Sequence, residues 1–474
     1  MVTKAHTNKG MVLVLACAAQ FMVVLDVAVV NVALPSIQQD LGLGKSTLQW
    51  IIIAYGLMLG GFMLLGGRLT DLLGRRRMLL TGLTLFSFAS LLAGLAGSAG
   101  LLIGARALQG FGAALIPPAA LSILAVTFAE GAERNRALGL YGGVTGASAS
   151  VGVLASGLLT EGAGWHWIFR INVPIGVLLI AMAAVFLPAD VGGRRRSERF
   201  DVAGAVTVTG GLLLLVYALN YGADHGWGSW STFGLFAGSV ALLAAFVRIE
   251  ARSRSPLVPG SAVRNRTLVA ANLSAFFTFG AFFAFIFLGS LLMQQVLGYS
   301  PTRTGVAWLA TTATSVVAAG ITGGKLVAVL GVRRLLVAGQ ALLAISVLLL
   351  TRITVGGDFA AGLLPALLLA GVAGGMAAPA AQIGALSGVT PSMTGLAGGL
   401  VETMREIGGA IGVAAVSTVL VSRAGVNAFH AAFWVLFVVA AVGALTAAIG
   451  FPRRATQASP SNGSIVTEAD ARAC

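Results

Sequence analysis

The sequence predicts an all-α membrane protein of fourteen transmembrane helices, arranged as two six-helix halves plus two inserted helices. Three observations lead there. Fourteen runs of about twenty mostly apolar residues follow one another, each long enough to cross a bilayer. The basic residues gather in the short segments between alternate runs. Two short segments of the first half also recur in the second, as an internal repeat.

Composition sets the class. The chain of 474 residues is 57% apolar and only 10% charged. A soluble domain carries roughly 25% charge. Sixty-four glycines suit packed membrane helices. A net charge of +14 raises nucleic acid as a partner. The placement of the cations in short inter-helix segments excludes it. Cys17 and Cys474 support neither a disulfide framework nor a zinc site. Val14-Leu15-Ala16-Cys17 has the look of a lipoprotein cleavage box, but the apolar stretch before it is too short and the run continues to Leu34.

The runs cover 11–34, 48–67, 78–97, 101–124, 138–159, 167–187, 201–221, 230–248, 268–292, 304–324, 335–353, 362–386, 397–421 and 429–451. With a cytoplasmic N-terminus, twenty-three lysines and arginines fall on the cytoplasmic side and five outside. That bias predicts both termini in the cytoplasm. Gly66-Gly67-Arg68-Leu69 to Arg77 follows the second run, and Gly323-Gly324-Lys325-Leu326 to Arg334 follows the tenth, 257 residues on. Leu115-Ile116-Pro117-Pro118-Ala119-Ala120 is echoed by Met376-Ala377-Ala378-Pro379-Ala380-Ala381. Helices 1–6 (11–188) therefore correspond to helices 9–14 (268–451), with 201–250 as the inserted pair. The basic stretch 189–200 is a cytoplasmic linker, and 251–267 a cytoplasmic loop. The segment 1–10 is the cytoplasmic N-terminus, and the polar tail 452–474 is expected to be disordered. Paired halves are a transporter design, with a central site that opens alternately to either side.

Ionisable groups inside a membrane are costly and mark function by default. Here they are Asp26, Arg106, Glu402, Arg405 and Glu406. Asp26 and Arg106 lie on antiparallel helices at comparable depth. An arginine favours the ionised carboxylate and dry surroundings favour the protonated one, so such a pair is able to load and release a proton. The alternative is a structural ion pair. Leu367 stands where Arg106 would repeat, which favours a special role. Glu402, Arg405 and Glu406 share one helical face. They form either a local ion network or a second proton or cation-recognition site.

The segment Gly67–Arg77, with Asp71, Gly74, Arg75 and Arg76, reads as a loop at the cytoplasmic edge. Its glycines permit a tight turn. Asp71 is suited to accept hydrogen bonds from a facing helix N-terminus, and the arginines to reach anionic lipid headgroups. It is a latch or a plain topology anchor. Helix 5 holds a small-residue stripe that includes Gly146, Gly152 and Gly157, for moving contact or tight packing. On helix 9, Phe276, Phe279, Phe283 and Phe287 share a face. They stack on an aromatic substrate or contact lipid and neighbouring helices, the latter being the commoner role.

These stretches resemble the major facilitator superfamily, above all its fourteen-helix drug:proton antiporter family of the EmrB/QacA type, over about residues 11–451. Leu25-Asp26-Val27-Ala28-Val29-Val30-Asn31-Val32-Ala33-Leu34-Pro35 is similar to that family's helix 1 signature, which implies proton coupling at Asp26. Gly67–Arg77 resembles the superfamily's gating loop. Arg106-Ala107-Leu108-Gln109-Gly110 resembles the helix 4 motif whose arginine assists proton transfer. His166 to Gly176 looks like the entry to helix 6, with Arg170 an unusual intrusion. Asp201-Val202-Ala203-Gly204 resembles the start of the extra pair, and Glu402 to Gly412 the helix 13 motif. In helix 5 the antiporter motif ends Gly-Pro-x-x-Gly-Gly, whereas this chain has Gly152-Val153-Leu154-Ala155-Ser156-Gly157, a departure in a motif associated with export. Asn31, Gln109, Phe276, Phe279, Phe283 and Arg405 are the candidates for substrate contact.

The sequence thus predicts proton-coupled efflux of small hydrophobic drugs or antibiotics across a bacterial inner membrane. Protons, cargo and membrane lipids are the expected partners, the chain acts as a monomer, and the proton gradient replaces any cofactor. Export of an endogenous metabolite, lipid or siderophore is the alternative, and a non-transporting receptor or assembly subunit a third. No Gly-x-x-x-x-Gly-Lys-Ser/Thr motif occurs, so direct ATP use is excluded on this chain, and no hydrolytic residue set appears.

Overall fold

Glycine at two matching points shapes both halves. In the computed structural model the second helix stops at Leu73 and the third starts at Arg75, with Gly74 alone between them at φ 107°. Gly331, 257 residues later, breaks its helix in the same way at φ 73° and ψ 161°. Positive φ is cheap only for glycine. The segment Gly67–Arg77, expected as a loop, is therefore helix on both sides of a one-residue turn. Gly66 and Gly67 lie within the helix, and the Thr70 hydroxyl donates back to the Gly66 carbonyl at 2.8 Å.

The structure describes residues 8–188, 201–253, 255–353, 359–421 and 426–451. The linker 189–200 and the tail 452–474 lie outside the described residues, as do residues 1–7. Among the described residues there are fourteen helices of fifteen or more residues and no strands. They are α1 (Lys9–Leu41), α2 (Lys45–Leu73), α3 (Arg75–Gly94), α4 (Ala99–Thr127), α5 (Ala132–Ala163), α6 (Asn172–Phe186), α7 (Val202–His225), α8 (Trp230–Glu250), α9 (Arg266–Leu291), α10 (Pro301–Ile321), α11 (Val327–Leu350), α12 (Leu364–Leu386), α13 (Thr394–Val421) and α14 (Val426–Gly450). A π-helical turn, Thr322–Leu326, joins α10 to α11.

Eleven stretches of the described residues are long and apolar enough to cross a membrane, one of them running through both α10 and α11. The two helices outside those stretches are α5 and α13. Both lie at the seam between the halves, where Gly139, Gly142 and Gly143 of α5 and Glu402 and Arg405 of α13 face protein instead of lipid. Apolar side chains such as Val177, Leu178, Val240 and Ile449 are exposed around the outside, as a lipid-facing surface requires.

The helices pair in a repeating pattern. In the first half α3 packs on α4, α2 on α4, α1 on α5 and α3 on α6; in the second, α11 packs on α12, α10 on α12, α9 on α13 and α11 on α14. The halves meet through α2 on α13 and α5 on α10. The pair α7–α8 lies beside the first of these seams, α7 resting on α2 and α13.

Candidate functional site

Three polar sites stand out in an apolar bundle. The first is inside the first half. Asp26 on α1 is fully buried. It accepts hydrogen bonds from Arg106 Nη1 at 2.5 Å, Gln109 Nε2 at 2.8 Å and Asn172 Nδ2 at 2.9 Å. Arg106 also donates to the Gln109 side-chain oxygen and to the Ile51 carbonyl, and its guanidinium sits 4.1 Å from the centre of the Tyr55 ring. Gln109 reaches Ser90 at 2.8 Å as well. One carboxylate thus holds together α1, α4 and α6, with α2 and α3 reached through its partners. A buried carboxylate with three donors is tightly coupled to its arginine.

Gln109, expected to touch substrate, belongs instead to this cluster, because its amide completes the coordination of Asp26. Asn31 lies on α1, but its side chain is outside the described residues. Asn172, Ser90 and Tyr55 were not singled out from the sequence. Asn172 carried a weak signal, a lone amide entering an apolar run.

The second site is on α13. Arg405 bridges Glu402 at 2.8 Å and Glu406 at 2.7 Å, and Gln382 of α12 donates to Glu402 at 3.2 Å. Glu402 and Arg405 are buried, whereas the Glu406 side chain is 24% exposed. The Arg405 guanidinium lies 5.6 Å from the centre of the Phe279 ring, and Phe279 meets Phe283 edge to face. Phe276 and Phe283 lie against α13, where a Cβ on Gly408 or Gly409 would run into them. Phe279, Phe283 and Arg405 are therefore brought together, with the Phe283 ring against Gly409 of α13, whereas Phe276 meets Gly408 through its backbone and turns its ring to Phe277.

The third site closes one end of the seam. Asp71, on the last turn of α2, accepts hydrogen bonds from the Gly395 and Leu396 amides of α13, each at 2.8 Å. An anion at the positive end of a helix is favourable. Arg75 donates to Ser122 at 2.9 Å and to the Pro391 carbonyl across the seam, and the Ser122 hydroxyl pairs with that of Thr394 at 2.7 Å. Arg76 donates to the Ala184 carbonyl of its own half at 2.7 Å. A Cβ on Gly67 would lie 2.5 Å from the Gly395 oxygen. On the other seam, a Cβ on Gly139 would lie 2.7 Å from Gly323 Cα. Gly152 presses α5 onto α1 beside Leu25 and Ala28, which flank the Asp26 position. The surroundings of Gly146 and Gly157 lie outside the described residues. Arg170, unexpected in its motif, donates to the Gly94 carbonyl at the end of α3 at 2.8 Å.

Asp71→Asn is expected to loosen this closure. The amide accepts at one oxygen only, and the charge facing the α13 N-terminus is lost. The cost is about 1–2 kcal/mol. Spin labels at Leu73 and Ser392, both exposed on opposite halves, should then report a broader and longer distance distribution than in the wild type.

Two facing helix bundles, sealed at one end and carrying buried charges, define a membrane transporter of the alternating-access class and not an enzyme. Comparison with known proteins agrees. The Major Facilitator Superfamily profile matches residues 16–323 and 271–473. The puromycin resistance protein pur8 of Streptomyces alboniger is 39% identical over 86% of this chain and 81% of its own length. The cephamycin export protein CmcT of Amycolatopsis lactamdurans is 40% identical over 63% of this chain and 61% of its own. The tetracenomycin C resistance and export protein of Streptomyces glaucescens is 36% identical over 64% of this chain and 56% of its own. Among solved structures, the human organic anion transporter MFSD10 superposes with a TM-score of 0.71 at 15% identity, covering 93% of this chain and 99% of that one. The chain belongs to the Major Facilitator Superfamily. It is a multi-pass membrane transporter of small molecules.

Proposed function

We propose that this chain is a proton-driven exporter of small hydrophobic, antibiotic-like compounds. It works as a monomer in a bacterial inner membrane, with both termini cytoplasmic and no cofactor beyond the proton gradient. The observation that carries the reading is the Asp26 site, a buried carboxylate whose only charged contact among the described residues is Arg106. Relatives named for resistance to, or export of, antibiotics support the cargo class.

The units 11–188 and 268–451 rock against each other, with 201–250 as a flanking pair. With the basic ends cytoplasmic, the seal around Asp71 is cytoplasmic. A proton reaching Asp26 cancels the charge that Arg106 answers. The guanidinium is then left buried and unpaired, a state that costs several kcal/mol unless the helices rearrange. Because α1 packs on α5 and α4 on α2, that rearrangement reaches both helices that close the seam. Cargo enters between the halves beside Glu406, the most exposed of the α13 charges, with Phe279 and Phe283 near by.

The test is reconstitution in liposomes, with dye or puromycin efflux followed with and without an imposed proton gradient. Wild type should export only with the gradient. Asp26→Asn, which keeps the size and most of the hydrogen bonds, should lose gradient-driven export while still binding cargo. Export that ignores the gradient, or that survives in Asp26→Asn, would move coupling to Glu402 or Glu406 or end the antiport reading.

A further inference from the structure

The inserted helices cover one seam between the halves and leave the other without such a cover. At the second seam, where α5 meets α10, a cavity of about 1020 Å³ opens to the surface. Leu13, Phe128, Leu140 and Ile321 give it apolar walls, and Arg136 of α5 and Lys325 of the α10–α11 turn line it too. Both cations are exposed, and neither has a hydrogen bond or ion pair among the described residues. The acid in the same lining, Glu133, is already engaged. Lys9 donates to one of its oxygens at 2.7 Å and the Ala129 amide to the other at 3.1 Å. The Lys9 hydrogen bond holds its carboxyl below the ordinary glutamate value, so it stays an anion matched to Lys9.

Two cations from opposite halves therefore share an oily groove with no acid left to answer them. We propose that the groove binds an anionic phospholipid of the cytoplasmic leaflet, its phosphate held by Arg136 and Lys325 and an acyl chain lying along Leu13, Phe128, Leu140 and Ile321. The proposal rests on the basic ends being cytoplasmic, as in the reading above. Charge and shape select this occupant. A cationic drug meets two like charges there, and an inorganic anion leaves the apolar walls wet. Basic pockets between membrane helices on the cytoplasmic side suit anionic headgroups. The lipid also has a consequence for the cycle. Arg136 and Lys325 belong to different halves and repel each other, so an anion between them favours the state in which this end is shut.

Native mass spectrometry tests the idea without any transport measurement, so its failure is separate from failure of the export reading. The full chain is released from vesicles of phosphatidylcholine and phosphatidylglycerol, and the retained lipid is counted. Wild type should keep phosphatidylglycerol in preference to phosphatidylcholine. R136Q/K325Q should lower that preference roughly thirtyfold, about fivefold per cation. R136K/K325R should keep it. If the double neutral variant melts early in pure phosphatidylcholine, the single variants serve, each expected to lose about fivefold. Equal retention of the two lipids by wild type would overturn the proposal. So would an unchanged preference in a folded R136Q/K325Q, displacement by inorganic phosphate alone, or saturable displacement by a cationic dye.

Discussion

Arg106→Ala is expected to lower the stability of the folded protein by about 3–5 kcal/mol and to abolish transport. The substitution leaves Asp26 as a fully buried carboxylate facing only the amides of Gln109 and Asn172. It also removes the guanidinium from the face of Tyr55 and its hydrogen bond to the Ile51 carbonyl. The double variant D26N/R106Q separates the two effects. Both partners become neutral amides of similar size, so no charge is left unanswered, and replacing both members of a buried pair costs far less than removing one. Most of the lost melting temperature should return in the double variant. Gradient-driven export should not, because neither titratable partner remains. Thermal melts in detergent and liposome flux on the same preparations check both halves of this expectation. If Arg106→Ala melts and transports as wild type does, the pair is neither a structural nor a coupling element.

The contrast between what sequence discloses and what it withholds has physical roots. Asp26 and Arg106 were legible because a charge in an apolar run is costly and demands a partner. The repeat was legible because glycine is needed where the backbone turns sharply, and Gly74 and Gly331 share that need. Asn172 and Ser90 were not legible as partners of the Asp26 site. Serines and amides are tolerated in membrane helices for many reasons, and nothing along the chain indicates that α6 packs on α1 or that α3 meets Gln109 of α4. Gln109, in the same motif as Arg106, was a candidate for cargo contact. Only the rotation of α4 reveals that its amide points inward. The segment Gly67–Arg77 was read as a loop since two glycines and five charges argue against a membrane helix. In the fold Gly67 instead lets α2 approach α13, Gly74 makes the one-residue turn to α3, and Asp71 is satisfied by amides of the other half.

That close approach leads to the second large effect. Gly139→Leu is expected to prevent the Asp71 end of the transporter from closing. The α5–α10 crossing there is backbone on backbone. A Cβ at Gly139 would lie 2.7 Å from Gly323 Cα and 3.0 Å from the Ala319 oxygen, and no flexible side-chain end is available to give way. Overpacking of this kind costs about 1–3 kcal/mol. Charged wholly to the closed state, that lowers its population roughly five- to 150-fold relative to the open one. The penalty falls on one conformation because α5 and α10 belong to different halves, so separating them relieves it while each half keeps its own packing. The variant should therefore insert and melt nearly as wild type does, yet export little. Spin labels at Leu73 and Ser392, across the companion crossing of α2 and α13, should shift to longer distances. Gly234→Leu on α8 is the control, since a Cβ there meets nothing within 4 Å. If Gly139→Leu exports normally, or if Gly234→Leu fails equally, the tight glycine crossing is not what permits this end to shut.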